Sequence, residues 1–155
     1  MCLVTISGSV LSSSFTAGDG DDTFVVSALT DSGVVEFSSI DLAGGDNIVA
    51  IEGNITASSI TFADGNDELF VGGNVTQGSV LTFGEGDNLA VLGRNFVDSA
   101  ATFGSGQDTL FIEDDVDASS ITFAGGDNRV SVGEDIDFAS VITFGDGNDT
   151  LAVGS

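Results

Sequence analysis

The chain lacks most of the side chains that carry out chemistry. It contains no histidine, lysine, tyrosine, tryptophan or proline, and its single cysteine is Cys2. Because the usual nucleophiles and general bases are missing, the sequence does not favour an enzyme. One cysteine cannot form an internal disulfide, and we interpret Cys2 as a small apolar residue near the end of a strand rather than as a tether or an intermolecular bridge.

Positive charge is also nearly absent. Arg94 and Arg129 stand against 25 acidic residues, and the net charge is −23. Such a chain cannot neutralise phosphates, so nucleic acid is excluded as a partner and an anionic membrane surface is disfavoured. The charge favours cations and an extracellular or high-salt setting. Because 41% of the residues are hydrophobic, the chain can still build a core, which argues against disorder.

Long hydrophobic runs are missing as well. No segment reaches the roughly 18 apolar residues of a membrane span, so we expect no membrane insertion. Residues 1–15 lack the basic start and the long apolar stretch of a signal peptide. An extracellular location therefore requires either a leader removed before Met1 or an export route without an N-terminal signal.

Internal repetition is the strongest signal that is present. The dipeptide Thr-Phe recurs in steps of 21, 20, 20 and 21 residues. After each Phe comes a glycine–acid turn and then a short apolar alternation, as in residues 60–71 (ITFADGNDELFV) and 142–153 (ITFGDGNDTLAV). Divergent copies begin at Phe15 and Ile40, which brings the number of copies to seven. The dipeptides are Thr61-Phe62, Thr82-Phe83, Thr102-Phe103, Thr122-Phe123 and Thr143-Phe144.

Each copy predicts two short strands. Apolar residues alternate with period two: Ile60 and Phe62 share one direction on the first strand, and Leu69 and Val71 share one on the second. The glycine–acid turn joins these strands, and a second turn, such as residues 53–56, closes the coil. A coil of about twenty residues cannot bury its own apolar face, whereas stacked coils form a continuous core.

We therefore predict an all-β, single-domain parallel β-solenoid, related to a β-roll or β-helix, with about seven coils of 20–21 residues. The domain covers residues 1–155. Its divergent coils occupy residues 1–52, with an insertion near residues 29–37, and its regular coils occupy residues 53–155. Seven coils spaced by about 4.8 Å form a rod of roughly 34 Å.

Stacking also predicts what each face presents. The Phe of the dipeptide forms an internal column, with Ala17 and Leu42 in that position of the divergent coils. The Thr forms an outward column suited to a regular surface such as ice or a glycan, although Thr is also simply a favourable exposed strand residue. The second strand presents an uncharged outward face of the kind that packs against another solenoid, although scattered exposed apolar residues are also normal on a protein surface. The candidate surface-binding residues are Thr61, Thr82, Thr102, Thr122 and Thr143, and the apolar outward residues are Val25, Ala50, Phe70, Ala90, Phe111 and Ala152.

The glycine–acid turns predict a calcium site. Carboxylates stacked about 4.8 Å apart repel by roughly 0.9 kcal/mol even in bulk water, so an acidic column is unfavourable without a cation. Ca²⁺ binds carboxylate and carbonyl oxygens, and glycine lets a turn aim its carbonyls at one point. The alternative is that Asp, Asn and Gly occur there because they suit a solvated turn. The candidate ligands are Asp19, Asp21, Asp22, Asp46, Asp64, Asp67, Glu85, Asp87, Asp108, Asp127, Asp146 and Asp149.

Several turns resemble the calcium-binding nonapeptide G-G-x-G-x-D-x-U-x of the repeats-in-toxin, or haemolysin-type, proteins. Residues 18–24, 104–110 and 145–151 match the part of this motif that begins at its second glycine. Residues 63–69 match the same part with Ala63 in place of Gly. The resemblance implies a secreted parallel β-roll that becomes ordered on binding calcium.

The sequence departs from the family in its spacing. Family repeats follow one another in tandem and give about 18 residues per coil, whereas here the motif occurs once per coil and on one edge. Residues 44–47 and 125–128 also read as shorter turns that lack the spaced second glycine. The sequence thus supports calcium at the level of the motif but does not predict a double-edged roll.

Two functions remain open. The first is a secreted, calcium-stabilised structural subunit that self-associates head to tail into a fibre, surface layer or biofilm matrix. It is favoured because residues 147–155 end a coil without a polar cap and residues 3–6 begin another strand-like alternation, although a fragment of a longer repeat protein would show the same ends. The second is a binding module, an ice-binding or carbohydrate-binding adhesin rod, that uses the Thr column.

Overall fold

The computed structural model describes residues 1–28 and 33–154. These residues form 22 short strands, and no helix occurs among them. The first eleven strands are β1 (Leu3–Ser7), β2 (Val10–Leu11), β3 (Ser14–Thr16), β4 (Thr23–Ser27), β5 (Val35–Glu36), β6 (Ser39–Leu42), β7 (Ile48–Ile51), β8 (Ile55–Thr56), β9 (Ser59–Phe62), β10 (Glu68–Val71) and β11 (Val75–Thr76). The others are β12 (Val80–Thr82), β13 (Leu89–Leu92), β14 (Phe96–Val97), β15 (Ala100–Ser105), β16 (Thr109–Ile112), β17 (Val116–Asp117), β18 (Ser120–Gly125), β19 (Arg129–Val132), β20 (Ile136–Asp137), β21 (Val141–Thr143) and β22 (Thr150–Val153).

The strands form three parallel sheets. Sheet 1 has the order β1-β4-β7-β10-β13-β16-β19-β22, sheet 2 the order β2-β5-β8-β11-β14-β17-β20, and sheet 3 the order β3-β6-β9-β12-β15-β18-β21. Each coil gives one strand to each sheet, and neighbouring strands come from successive coils. This topology confirms the predicted all-β, single-domain parallel solenoid of about seven coils.

The prediction of two strands per coil is wrong, because the segment that reads as a closing turn is the third strand. Ile55 and Val75 are completely buried there, and the strand Ile55–Thr56 pairs in register with Val75–Thr76. A strand of two residues is too short to show an alternation, so its sequence resembles a turn.

The predicted column of Phe rings is confirmed. Successive rings have centroids 4.6–5.3 Å apart and lie within 11° of parallel. Leu42 pairs with Phe62 at the start of the column, and Ala17 precedes Leu42. The column follows from in-register stacking, because a residue that recurs once per coil meets its own copy about 4.8 Å away.

Part of the predicted insertion near residues 29–37 follows the regular pairing between coils. Val35 and Glu36 pair with β2 on one side and β8 on the other. The carbonyl of Gly33 accepts a 2.8 Å bond from the N–H of Gly53. Residues 29–32 lie outside the described residues.

One predicted outward residue is also wrong. Ala90 is completely buried opposite Leu69, and Val91 takes the outward position opposite Phe70. The register of sheet 1, rather than residue type, decides which of these neighbours faces the core.

The coils of 21 residues place their extra residue where sheet 2 meets sheet 3. A coil of 20 residues has one non-glycine residue with positive φ there, such as Ala118 (φ 47°). The longer coils have two residues with positive φ there, namely Gln77 with Gly78 and Phe138 with Ala139. The corner therefore absorbs the difference in length without shifting any strand.

Candidate functional site

Three corners connect the sheets of every coil. We call them the glycine corner, from sheet 3 to sheet 1 (residues 104–108 in one coil), the asparagine corner, from sheet 1 to sheet 2 (residues 93–95), and the serine corner, from sheet 2 to sheet 3 (residues 98–99). All candidate calcium ligands lie at the glycine corner, which makes it the candidate functional site.

A column of glycines makes the glycine corner possible. Gly126 has φ 102°, and a β-carbon there would collide with the carbonyl oxygen of Gly106 in the preceding coil. The column consists of Gly20, Gly45, Gly65, Gly86, Gly106, Gly126 and Gly147, all with positive φ. Because Gly45 and Gly126 belong to it, the prediction that residues 44–47 and 125–128 lack the second glycine is wrong.

The residue after each glycine forms an exposed outer column. In most coils its side-chain oxygen accepts a hydrogen bond from a backbone N–H of the next coil, as Asp46 Oδ1 does from Asn66 at 2.8 Å and Asp87 Oδ1 does from Gln107 at 2.7 Å. The outer column is Asp21, Asp46, Asn66, Asp87, Gln107, Asp127 and Asn148. These side chains thus hold successive coils together.

The following residue forms an inner column, which is buried in most coils. Here the hydrogen bonds run in the opposite sense: the backbone N–H of Asn47 donates to Asp67 Oδ1 at 2.9 Å, and that of Asp67 donates to Asn88 Oδ1 at 3.0 Å. The Nδ2 groups of Asn47 and Asn88 also donate to the Asp of the next coil, each at 2.9 Å. The inner column is Asp22, Asn47, Asp67, Asn88, Asp108, Asn128 and Asp149.

The remaining candidate ligands lie in an edge column, one residue before each glycine. Asp64 and Glu85 are neighbours in it, and Asp64 Oδ1 accepts a 3.2 Å bond from the backbone N–H of Glu85. The edge column is Asp19, Gly44, Asp64, Glu85, Ser105, Gly125 and Asp146. Only four of its positions are acidic.

The prediction that stacking places the carboxylates in one column is therefore wrong. They divide among three columns, and Asp alternates with Asn along the inner column. From residues 46–47 onward the outer column alternates in the opposite phase, so each turn carries one carboxylate in these two columns. Within the inner column like charges are about 9.6 Å apart, which halves their repulsion to about 0.4 kcal/mol in bulk water.

Asp67 and Asp108 each have one buried oxygen without a partner among the described residues. Both are 0% exposed; Oδ1 accepts two hydrogen bonds, and Oδ2 accepts none. In the Asn coils the Nδ2 group takes the place of this Oδ2 atom, and it is a donor. Asn47 Nδ2 donates to the carbonyls of Ala43 at 3.1 Å and Gly45 at 2.7 Å. Because the turns stack in register, the Asp coils place an acceptor where the Asn coils place that donor.

Burial raises the pKa of the Asp67 carboxyl above its ordinary value. Hydrogen bonds from Asn47 act in the opposite direction, but their effect on the pKa is smaller than that of burial. Burial raises the pKa of Asp108 in the same way. Either a proton or a cation at Oδ2 would remove the buried, unpaired negative charge.

Calcium fits this corner in part. An unpaired carboxylate oxygen in a turn of backbone carbonyls is a suitable donor set. In contrast, the Oδ1 atoms of Asp46, Asp87 and Asp127 are held by N–H groups of the next coil. In residues 1–28 and 33–154 no group of three or more Cys, Asp or Glu residues is placed to hold a metal ion. Calcium binding stays a prediction, and it concerns Asp67 and Asp108 first.

A second ladder lies at the asparagine corner, and sequence reasoning missed it. The backbone N–H of Asn74 donates to Asn54 Oδ1 at 2.8 Å, and that of Asp135 donates to Asp115 Oδ1 at 3.0 Å. The sequence signal is the recurrence of Asn or Asp just before the last five short strands of sheet 2, from β8 to β20.

A third ladder lies at the serine corner. The backbone N–H of Ser38 donates to Ser58 Oγ at 3.0 Å, while the Ser58 hydroxyl donates to the carbonyl of Thr56 at 2.7 Å. The serines are Ser13, Ser38, Ser58, Ser79, Ser99, Ser119 and Ser140. Their recurrence after each short strand is the signal that sequence reasoning missed.

The Thr column of the alternative function lies on the outer side of sheet 3. Thr61, Thr82, Thr102, Thr122 and Thr143 are paired in register, and each is exposed or half-buried. Asp41 interrupts this column between Thr16 and Thr61. The structure thus places the five Thr residues together but does not test what they bind.

The outer face of sheet 1 has a different character. Ile48, Phe70 and Phe111 are 39%, 37% and 41% exposed there. Two outward columns run along it. The first is Leu3, Thr23, Ile48, Glu68, Leu89, Thr109, Arg129 and Thr150, and the second is Thr5, Val25, Ala50, Phe70, Val91, Phe111, Ser131 and Ala152.

No family model, curated protein or solved structure matches this chain. The resemblance to the repeats-in-toxin proteins therefore stays a prediction. Within the part of the chain that the structure describes, no helix has the length and the apolar character needed to cross a membrane.

Proposed function

We propose that the chain is a structural subunit whose coils stack end to end with those of other copies, forming a fibre, surface layer or biofilm matrix outside the cell. The observation that carries this proposal is the arrangement of the edges. The strands β1, β2 and β3 lie at one edge of their three sheets, and β22, β20 and β21 lie at the other. Among the described residues the outer edges of these six strands are unpaired, and a coil from another copy would pair there.

The side chains at the two ends support the same geometry. Leu151 and Val153 of β22 are 45% and 47% exposed, whereas the equivalent Val130 and Val132 one coil earlier are buried. Val4 and Ile6 occupy the corresponding positions of β1. A second copy placed against β22 would continue these columns in register and bury the exposed apolar groups.

Calcium would act in this subunit as a staple. The residues that would hold it are Asp67 and Asp108, together with carbonyls of their turns. When bound, the ion supplies positive charge that offsets a buried carboxylate, and it stabilises the folded chain because the unfolded chain lacks the site. A cation would also reduce the repulsion between copies that each carry a net charge of −23.

Negative-stain electron microscopy tests the assembly. We expect the purified chain to form filaments of single-solenoid width with millimolar calcium and only short particles with a chelator. The double variant Leu151→Asp with Val153→Asp should stay as short particles, because it places charge on the pairing edge. The control is Val80→Asp, which changes a residue of similar exposure away from the ends. Short particles of the native chain under both conditions would reject the proposal.

The alternative function is a surface-binding module. The regular column of Thr61, Thr82, Thr102, Thr122 and Thr143 favours it, since the outward residues of sheet 3 repeat at the strand spacing. Replacing Thr102 and Thr122 with Tyr should abolish adsorption to ice crystals or to a polysaccharide matrix while the chain remains folded. Unchanged adsorption, or none by the native chain, would reject this function.

A further inference from the structure

The outer face of sheet 1 is a nearly uncharged surface on a strongly acidic chain. Its two outward columns contain one acid, Glu68, and one base, Arg129, although the chain has 25 acidic residues. The apolar side chains between them include Phe70, Phe111 and Leu89, which are exposed or half-buried. What distinguishes this face from the outer face of sheet 3 is its apolar, nearly uncharged surface, which is typical of an interface.

The positions of Glu68 and Arg129 indicate what covers it. Glu68 pairs with Leu89, Leu89 with Thr109, and Thr109 with Arg129. The two charges therefore lie in one column, three strands or about 14 Å apart, with Leu89 and Thr109 between them. At that separation they are nearly screened from each other at physiological salt, where the Debye length is about 8 Å.

A two-fold axis in the plane of contact, parallel to the strands and midway between Leu89 and Thr109, brings two copies together face to face. This operation places each outward column of one copy opposite the same column of the other copy. The coils of the two copies then run in opposite directions. It places Glu68 of each copy opposite Arg129 of the other, and Val91 opposite Phe111. The exposed acids beside the face, Glu52 and Glu113, then fall opposite glycines rather than like charges.

We propose that a second copy of this chain covers the outer face of sheet 1, in an antiparallel pair with two reciprocal Glu68–Arg129 ion pairs. Six strands of each copy overlap in this arrangement. With strands of four residues the patch measures about 29 Å by 13 Å, and with its projecting Phe side chains the two copies bury roughly 1,000 Å² in total. That area lies at the lower limit of specific interfaces, so the pair is weak and reversible.

Lateral pairing goes beyond the proposed end-to-end assembly, because it uses a face rather than an edge. It would join two rods side by side, and it leaves both ends free to stack. If the chain pairs laterally without forming filaments, this inference is supported and the proposed function is rejected. If it forms filaments of single-solenoid width without pairs, the proposed function is supported and this inference is rejected.

Sedimentation equilibrium of the full chain at about 0.15 M salt tests the pair. We expect a reversible dimer whose X-ray scattering profile fits two rods side by side. Glu68→Arg alone and Arg129→Glu alone should each weaken dimerisation at least tenfold, because each faces a like charge across the two-fold axis. The double exchange should restore dimerisation to within about threefold of the native chain, since it re-forms both pairs.

Matched variants separate the face from other surfaces. Phe111→Asp should abolish the dimer, and Thr102→Asp, on the outer face of sheet 3, should leave it unchanged. The circular dichroism spectrum of each variant shows that it remains folded. A native chain that is monomeric at all concentrations, or a double exchange no better than the single ones, would overturn the inference.

Discussion

Two neighbouring turns of the glycine corner show how one functional group changes the local balance of energies. Residues 84–88 and 104–108 have the same length and stack in register. Asn88 donates through Nδ2 to the carbonyls of Gly84 and Gly86, at 3.4 Å and 3.0 Å, and to Asp108 Oδ1 at 2.9 Å. Asp108 has no donor on the equivalent arm, and its Oδ2 is buried without a partner in the described structure.

Within the inner column, the Asn side chains thus donate the hydrogen bonds and the Asp side chains carry the charge. A column of Asn alone would be neutral and would leave nothing for a cation to bind. A column of Asp alone would lose both the amide donors and the spacing between charges. The alternation keeps every carboxylate in the middle of the inner column between two amides.

The largest expected effect comes from breaking this alternation with Asn88→Asp. The variant removes the Nδ2 donor and places a buried carboxylate between Asp67 and Asp108. We expect it to lower the free energy of unfolding by about 3–5 kcal/mol, as for other unpaired buried charges. Urea unfolding followed by circular dichroism measures this.

The control for that prediction is Asn66→Asp, which makes the same chemical change in the exposed outer column. It should cost less than about 1 kcal/mol, because water screens the added charge. Equal costs for the two variants would contradict the distinction between the inner and outer columns.

Replacing a buried Asp of the inner column with Asn should have the opposite effect on the free energy of unfolding. In Asp67→Asn or Asp108→Asn, the new Nδ2 group would donate to the turn carbonyls in place of an unpaired oxygen. Each variant should raise the free energy of unfolding at neutral pH by about 1–3 kcal/mol in the absence of calcium. Asp87→Asn, in the outer column, serves as the matched control and should change it by less than about 0.5 kcal/mol. A loss of stability in both buried variants would show that Oδ2 has a favourable partner.

The dependence of stability on pH sharpens the same comparison. Because burial raises the pKa of Asp67 and Asp108 above 3.8, the folded chain binds these protons more tightly than the unfolded chain does. Their destabilising contribution is fully present above the raised pKa and fades as the pH falls toward 3.8. As the pH is lowered through that window, the free energy of unfolding of the native chain should therefore rise relative to that of the double variant Asp67→Asn with Asp108→Asn. Parallel unfolding curves at several pH values test this, and a constant difference would contradict it.

Calcium should stabilise the native chain through the same two carboxylates. At a tenfold excess over its dissociation constant it should stabilise the native chain by about 1.4 kcal/mol for each site. The same double variant should show no shift in Tm with calcium, while Asp64→Asn with Asp146→Asn, in the edge column, should keep the native shift. An equal shift in all three proteins would place the ion elsewhere.

Much of the fold was predictable because each sheet is built by repetition. A residue that recurs every 20 or 21 positions must stack on its own copy, so the Phe column and the Thr column follow from the sequence alone. The serine corner was harder to predict. The short strands of sheet 2 that precede it show no alternation of apolar and polar residues. The extra residues of the corner, near Gln77 and Phe138, change the repeat length without changing the register of the strands.

The candidate site was predictable only in its location. Glycine and Asp in the same turn of most coils identify the corner, but they do not say which carboxylates are buried. Asp46 and Asp67 look equivalent as acidic turn residues, yet one is exposed in the outer column and the other is 0% exposed in the inner column.

Periodicity alone predicts the parallel solenoid, the number of coils and the identity of the repeating columns, because it fixes which residues meet in an in-register stack. The folded chain was needed to show that each coil has three sides, that Ala90 faces the core and how Asp and Asn align between neighbouring coils at the glycine corner. Each of these features depends on contacts with a neighbour about twenty residues away. The hydrogen bonds between coils determine which residue that neighbour is, and the sequence within a single coil does not show it.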